Sequence, residues 1–232
     1  MAKILMFGNQ KGGVGKTQIS IMTATALSLP PFNLKTCIID LDNQKSVVEM
    51  RQLDLRAYQT ESVPFEVFDY NVTELENNIG VLDKTFDVII LDAAGKLDNN
   101  LPIDSQEITN ILIYVDCLFI PFVAGNHNLN ATIQYLKHVQ QVQKKRQLQP
   151  RNLMVKGFVN MHRTRSRANQ FLIEDIGTLK ESHRLEIIET ALNDYAVFRE
   201  ADTITSIYDP LSNDNAKHNF SMWLNEFISI IQ

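Results

Sequence analysis

Cysteine is nearly absent from the 232 residues: only Cys37 and Cys117 occur, each inside an apolar stretch. That excludes a disulfide scaffold and offers no ligand pattern for structural zinc or an iron–sulfur cluster. Both are expected to be core thiols in a reducing cytoplasm. No apolar run approaches the roughly 20 residues of a membrane-spanning helix, and the N-terminus enters a candidate strand without the features of a signal peptide. No repeat, low-complexity tract or linker divides the chain, so one domain over residues 1–232 is expected. The histidines, His127, His138, His162, His183 and His218, show no metal-site pairing, and surface or capping roles are expected for them.

Acidic residues are missing from one long window. From Cys117 through Ile173 there is no Asp or Glu, while Lys137, Lys144, Lys145, Arg146, Arg151, Lys156, Arg163, Arg165 and Arg167 fall inside it. The net charge of −5 therefore hides a strong asymmetry. The window suggests a face suited to a polyanion; the bland alternative is a solvated basic surface.

What is present is an alternation of short apolar runs with helical stretches, the rhythm of an α/β protein with a mostly parallel twisted sheet between two helix layers. Candidate strands are 3–7, 36–39, 64–68, 87–91, 117–121, 153–159 and 185–188. Candidate helices are 16–28, 46–55, 73–83, 105–114, 128–146, 167–181, a short one near 195–201, and 213–230.

The first strand and first helix flank Lys11-Gly12-Gly13-Val14-Gly15-Lys16-Thr17. Strand, glycine-rich turn and helix is the setting of a P-loop NTPase. Backbone N–H groups of such a loop cradle phosphates, Lys16 reaches the β- and γ-phosphate oxygens, and the Thr17 hydroxyl sits on Mg²⁺. Lys11 is an additional cation that a plain phosphate loop does not need. Two more strands end in carboxylates: Asp40 and Asp42 after the second, and Asp92 after Val88–Leu91. Ligands of open α/β sheets bind at the carboxyl ends of strands, so these groups can converge with the loop. Any one aspartate alone is better explained as a turn or cap residue.

Asn9-Gln10-Lys11-Gly12-Gly13-Val14-Gly15-Lys16-Thr17 resembles the deviant phosphate loop of the ParA/MinD ATPases. Ile39-Asp40-Leu41-Asp42-Asn43-Gln44 is similar to the family's next motif, and Val88 to Asp92 to its Mg²⁺-site strand. Ala196-Val197-Phe198-Arg199-Glu200-Ala201 resembles a segment of the small ParA-type partition proteins. The resemblance implies a Mg²⁺-dependent ATPase, slow without its partner, with ATP sandwiched between two subunits. It implies that Lys11 crosses to the partner's nucleotide while Lys16, with Gly12, Gly13, Val14, Gly15, Thr17 and Gln18, serves its own. Asp42 positions the attacking water, Asp40 supports the metal shell, and Asp92 holds Mg²⁺ through water. Asn160, ending a strand, matches the Asn that related proteins place on the adenine edge. Departures are Gln18 for a usual Thr, Asn43 for a Pro, Ala93-Ala94 for a Thr-Pro pair, and Asn193 and Tyr195 for a Pro and an Arg.

Partition-type members bind DNA without sequence specificity as ATP dimers, which gives the basic window a use. Lys144, Lys145, Arg146, Arg163, Arg165 and Arg167 are the candidate DNA contacts, and a ParB-like or other centromere-binding adaptor the expected stimulating partner. Such a protein is cytoplasmic and nucleoid-associated when ATP-bound. Competing readings are a MinD-like positioning ATPase and an ATP-dependent small-molecule enzyme on the same scaffold. Membrane attachment is not expected: the apolar stripe Trp223, Leu224, Phe227, Ile228 and Ile230 carries Glu226 and little basic charge, and reads as core packing.

Overall fold

The computed structural model describes residues 1–94, 102–147, 151–208 and 213–232, with the side chains of 102–105 and 126–128 outside that description. In chain order the elements are β1 (Lys3–Phe7), α1 (Lys16–Ser28), β2 (Thr36–Asp40), α2 (Ser46–Tyr58), β3 (Glu66–Asp69), α3 (Val72–Thr85), β4 (Val88–Asp92), α4 (Pro102–Leu112), β5 (Cys117–Phe122), α5 (Asn126–Arg146), β6 (Met154–Val159), α6 (Arg167–His183), β7 (Glu186–Ile187), α7 (Ala196–Arg199) and α8 (Asp214–Ile231).

Every residue of β2, β4 and β5 is buried. Strands this apolar on both faces belong to a parallel sheet covered by helices on both sides. The strands pair in the order β3-β2-β4-β1-β5-β6-β7, all parallel. Alternation sorts their side chains between two cores. Ile4, Met6, Ile39, Leu91 and Ile120 join residues of α3, α4, α5 and α6 on one face. Leu5, Phe7, Ile38, Ile90 and Phe119 join α1, α2, α7 and α8 on the other.

The second core is aromatic at its centre. Trp223 lies 5.0 Å from Phe227 and 5.4 Å from Phe158, and Phe7 stacks on Phe227 at 6.0 Å, by ring centroids. The apolar stripe of α8 is therefore packed against the sheet, as its sequence suggests. Among the described residues no helix is long and apolar enough to cross a membrane.

Element ends shift where local chemistry decides them. β3 starts at Glu66, two residues past the expected Pro64, because Pro64 has no N–H for the ladder and the pairing with β2 begins at Cys37 and Glu66. α3 starts at Val72 behind an Asn71–Glu74 capping box. α2 runs on to Tyr58 and stops where Gln59 turns left-handed, its N–H bonded to Leu55 O. α4 begins at Pro102, a residue suited to a first helical position, and ends at Leu112 instead of continuing to Tyr114. α7 is a single turn.

The chain lays β2, β3 and β4 to one side of β1, then crosses over β1 to add β5, β6 and β7 on the other. This reversal puts the carboxyl end of β1 at the switch point, where a ligand crevice opens.

Candidate functional site: the loop after the central strand

The turn from β1 into α1 depends on two left-handed glycines, Gly13 at φ 73 and Gly15 at φ 85. Gly15 also has no room for a side chain, since a Cβ there would lie 2.6 Å from Asn160 Nδ2. It caps α1 without a side-chain hydrogen bond, and no acidic residue occupies the first turn. The first N–H groups of α1 and the positive end of its dipole are thus left for an anion.

Lys16 opens the helix with its Nζ 3.4 Å from Lys11 O. Burial draws its ammonium below the ordinary lysine range, against the attraction of Asp92 and Asp42. Thr17 Oγ1 donates to Asp92 Oδ2 at 2.8 Å, and Ser20 Oγ lies 3.5 Å from Asp92 Oδ1. Burial pushes the Asp92 carboxyl up to about 7; the Thr17 hydroxyl opposes this, as does Lys16, while Asp40 and Asp42 push it further. Asp42 is half-buried, its Oδ1 accepting from Gln44 N at 3.0 Å. Lys16, Thr17, Asp42 and Asp92 therefore converge on one crevice, whereas the Lys11 side chain is exposed at its rim.

Asp40 has another task. It is fully buried, Oδ2 accepting from Val47 N and Val48 N and Oδ1 from Asp42 N. These amides hold the entry to α2, so the Asp40 carboxylate fixes the loop that carries Asp42. Burial raises its carboxyl, opposed by those three N–H groups and by Lys45.

Beside the loop lies a largely apolar cavity of about 210 Å³, with Gly13, Gly15, Ile19 and Met22 on one side and Met161, Leu192, Tyr195 and Phe198 on the other. Several of its polar lining residues are engaged with neighbours. Asn160 Nδ2 donates to Val14 O at 2.9 Å, and Gln18 Nε2 to Ala201 O at 2.7 Å. Asp194 binds Arg163 and Arg199, each approaching to 2.5 Å. Asn160 thus lies at the cavity and braces the phosphate loop. Gln18 ties α1 to the segment after α7. Asp194 and Asn9 had no role read for them from sequence: only the motif around Asn9, an Asn two residues before the loop's first lysine, was a signal.

The basic window divides in three. Arg146 is only 2% exposed; its guanidinium donates to Leu112 O at 2.7 Å, Val115 O at 2.5 Å and Arg151 O at 2.9 Å. It closes the chain ends between α4, β5 and β6, so the expectation that it contacts DNA is corrected. Arg151 pairs with Asp83 and Asp116, and Lys156 with Glu186. Lys144 and Lys145 are exposed at the end of α5, Arg163 and Arg165 between β6 and α6, and Arg167 at the start of α6, over the Phe171 ring at 5.4 Å. These two exposed clusters lie at opposite ends of the sheet, separated by the length of α5, roughly 30 Å at 1.5 Å per residue. Gly95, in the stretch after Asp92, and the His127 side chain lie outside the described residues.

Several solved structures share this fold. A plasmid partition protein from Borrelia burgdorferi bound to AMPPNP superposes with a TM-score of 0.69 at 18% identity, covering 98% of this chain and 98% of that chain. Cyanothece McdA in an ATP complex gives 0.72 at 16% identity, covering 97% and 96%. Cobyrinic acid a,c-diamide synthase from Mycobacterium smegmatis, with an ATP analogue and magnesium, gives 0.67 at 15% identity, covering 99% and 94%. No curated protein sequence matches the chain significantly. The model of the CobQ/CobB/MinD/ParA nucleotide binding domain matches residues 5–202. With the glycine-rich loop, its two lysines and the strand-end aspartates in one crevice, the chain belongs to the CobQ/CobB/MinD/ParA nucleotide-binding domain family.

Proposed function

We propose that this protein is a ParA-type partition ATPase that forms an ATP-dependent sandwich dimer, binds DNA without sequence specificity in that state, and is released when an adaptor stimulates hydrolysis. The carrying observation is the division between its two lysines. Lys16 points into a crevice with Asp42 and Asp92, while Lys11, on the same loop, is exposed at the rim. A cation at that rim has little use for its own subunit's nucleotide and is placed to serve a neighbour's.

In this reading the N–H groups of Gly12, Gly13, Val14, Gly15, Lys16 and Thr17 hold the phosphates, and Lys16 neutralises charge on the transferring group. The base enters the apolar cavity beside Asn160 and Gln18. The donor set fits Mg²⁺: the Thr17 hydroxyl and the buried Asp92 carboxylate, 2.8 Å apart, are hard oxygen donors, of which Thr17 would hold the ion directly and Asp92 through water. When bound, the ion offsets charge on the β- and γ-phosphates. Asp42 orients the attacking water, and Asp40 holds Asp42's loop in place through Asp42 N and the start of α2. A positive charge from the partner's copy of the loop completes the site, so binding and dimerisation become linked.

Arg165 and Arg167, beside the nucleotide crevice, are the main candidates for phosphate contacts, with Lys144 and Lys145 as a second patch at the far end of α5. The burial of α8 against the sheet weighs against a membrane-positioning role, because its apolar face is already covered.

The test is binding to random-sequence DNA in moderate salt with ATP, with ADP and without nucleotide, alongside sedimentation velocity. ATP-specific dimers that retain DNA, with affinity falling steeply as salt rises, are expected. Demonstrated ATP binding with no DNA retention would remove the DNA assignment. Turnover that responds only to a small-molecule substrate would point to a synthetase-like enzyme.

A further inference from the structure

The phosphate loop is pinned to the opposite helix layer at a point its known chemistry does not require. Asn9 is 1% exposed, and three hydrogen bonds engage its amide. Nδ2 donates to Pro121 O in β5 at 2.8 Å and to Thr132 Oγ1 in α5 at 2.9 Å. Oδ1 accepts from Lys11 N at 3.0 Å. One residue earlier the backbone presses against the same helix: a Cβ on Gly8 would lie 2.2 Å from Tyr135 Oη and 2.7 Å from Leu118 Cδ1. Just beyond Lys11 the loop is open, for a Cβ on Gly12 or Gly13 would meet nothing within 4 Å, and support resumes only where Asn160 Nδ2 meets Val14 O.

The Lys11 backbone is held from two sides, by Asn9 on its N–H and more loosely by Lys16 Nζ on its carbonyl at 3.4 Å. In the proposed reaction Lys16 turns to the phosphates, and the second contact goes. We infer that Asn9 is a positioning residue: it fixes the backbone from which Lys11 reaches the neighbouring subunit, and the Thr132 hydroxyl and Pro121 carbonyl fix the amide's orientation. An amide suits this place because it must donate twice and accept once with no net charge in a buried site. Carboxylate or alkyl replacements lose the donors. The inference rests on the sandwich reading for Lys11's destination, but not for the geometry of the loop.

The experiment compares Asn9→Ala, Thr132→Val and Thr132→Ser in the full chain. Asn9→Ala is expected to keep nucleotide affinity within about threefold, while kcat and ATP-dependent dimerisation fall roughly 10- to 100-fold, the scale of a misplacement of about 1 Å. Thr132→Val, which keeps shape but loses the hydroxyl acceptor, should shift kcat in the same direction by a smaller factor, and Thr132→Ser should restore it. Hydrogen exchange at the Lys11 amide supplies a readout independent of hydrolysis and assembly. Faster exchange in Asn9→Ala and Thr132→Val, but not in Thr132→Ser, supports the assignment. Unchanged exchange and kcat in Thr132→Val overturns it, even where Asn9→Ala fails to fold. So does a loss of nucleotide affinity parallel to the loss of kcat. A wild-type protein that binds ATP but stays monomeric refutes the sandwich reading instead, and the exchange data still decide the role of Asn9.

Discussion

Lys11 and Lys16 share one loop, yet their surroundings assign them opposite tests. Lys16 is half-buried, attracted by Asp42 and Asp92, so Lys16→Ala should cut turnover on the order of 10²- to 10³-fold, the effect of losing one preorganised donor, and weaken nucleotide binding by fluorescence titration. Lys11→Ala should bind nucleotide nearly as the wild type does but fail to assemble with ATP in sedimentation velocity. If it assembles and turns over normally, the cross-subunit role is wrong. Asp42→Ala should slow hydrolysis by roughly 10²-fold or more and accumulate ATP-bound dimer on gel filtration. Arg146 shows where residue-level reading reached its limit. Lys144-Lys145-Arg146 looks uniform as a string of charge, and nothing in the string says that one member turns inward to three backbone carbonyls. Arg146→Ala should therefore destabilise the protein by about 3 kcal/mol, through unsatisfied buried carbonyls, in urea unfolding, and leave DNA affinity per folded molecule unchanged. Loss of DNA binding at full stability would restore it to the interface.

At the scale of elements, the strands and the long helices were readable because burial on both faces forces unbroken apolar runs in β2, β4 and β5 and because α1 follows the glycine turn directly. Ends were less readable: they follow capping and pairing partners distant in sequence, such as β2 fixing the start of β3. The carboxylates at strand ends were legible as a group, but the separate duty of Asp40 appears only when α2 folds back onto it. The turn between β6 and α6 carries a distinction between its arginines of the same kind. Arg163 and Arg165 are both exposed, but Arg163 is paired with Asp194, whereas among the described residues Arg165 has no such ion pair. Arg165→Ala should reduce the slope of log affinity against log salt by about one. Arg163→Ala should change it by less, because Asp194 already offsets that charge. Equal slopes for the two variants would show that the Asp194 pair opens when DNA binds.

For the whole molecule, the family fold was legible from the first 45 residues because the phosphate loop, its helix and the next strand's carboxylates are contiguous in sequence. The layout of the basic surface was not. Its members come from the C-terminal end of α5 and from the turn between β6 and α6, and only the topology reveals that Lys144 and Lys145 sit away from the nucleotide crevice while Arg163, Arg165 and Arg167 sit beside it. A ligand touching both must run along the length of that helix.

The outward-facing Lys11 has one more consequence, and it concerns reaction order. If a subunit's site is completed by a side chain from another copy, turnover per subunit cannot be a constant of the protein. At dilution below the dimer dissociation constant the total rate should rise with the square of protein concentration, becoming linear only once pairs dominate. A steady-state assay spanning about a hundredfold in protein at saturating ATP reads this directly, and a strictly linear dependence throughout would mean that each chain is a complete catalyst. If pairs are required, the placement of a single lysine would make the local abundance of the protein, alongside ATP, a variable to which turnover responds.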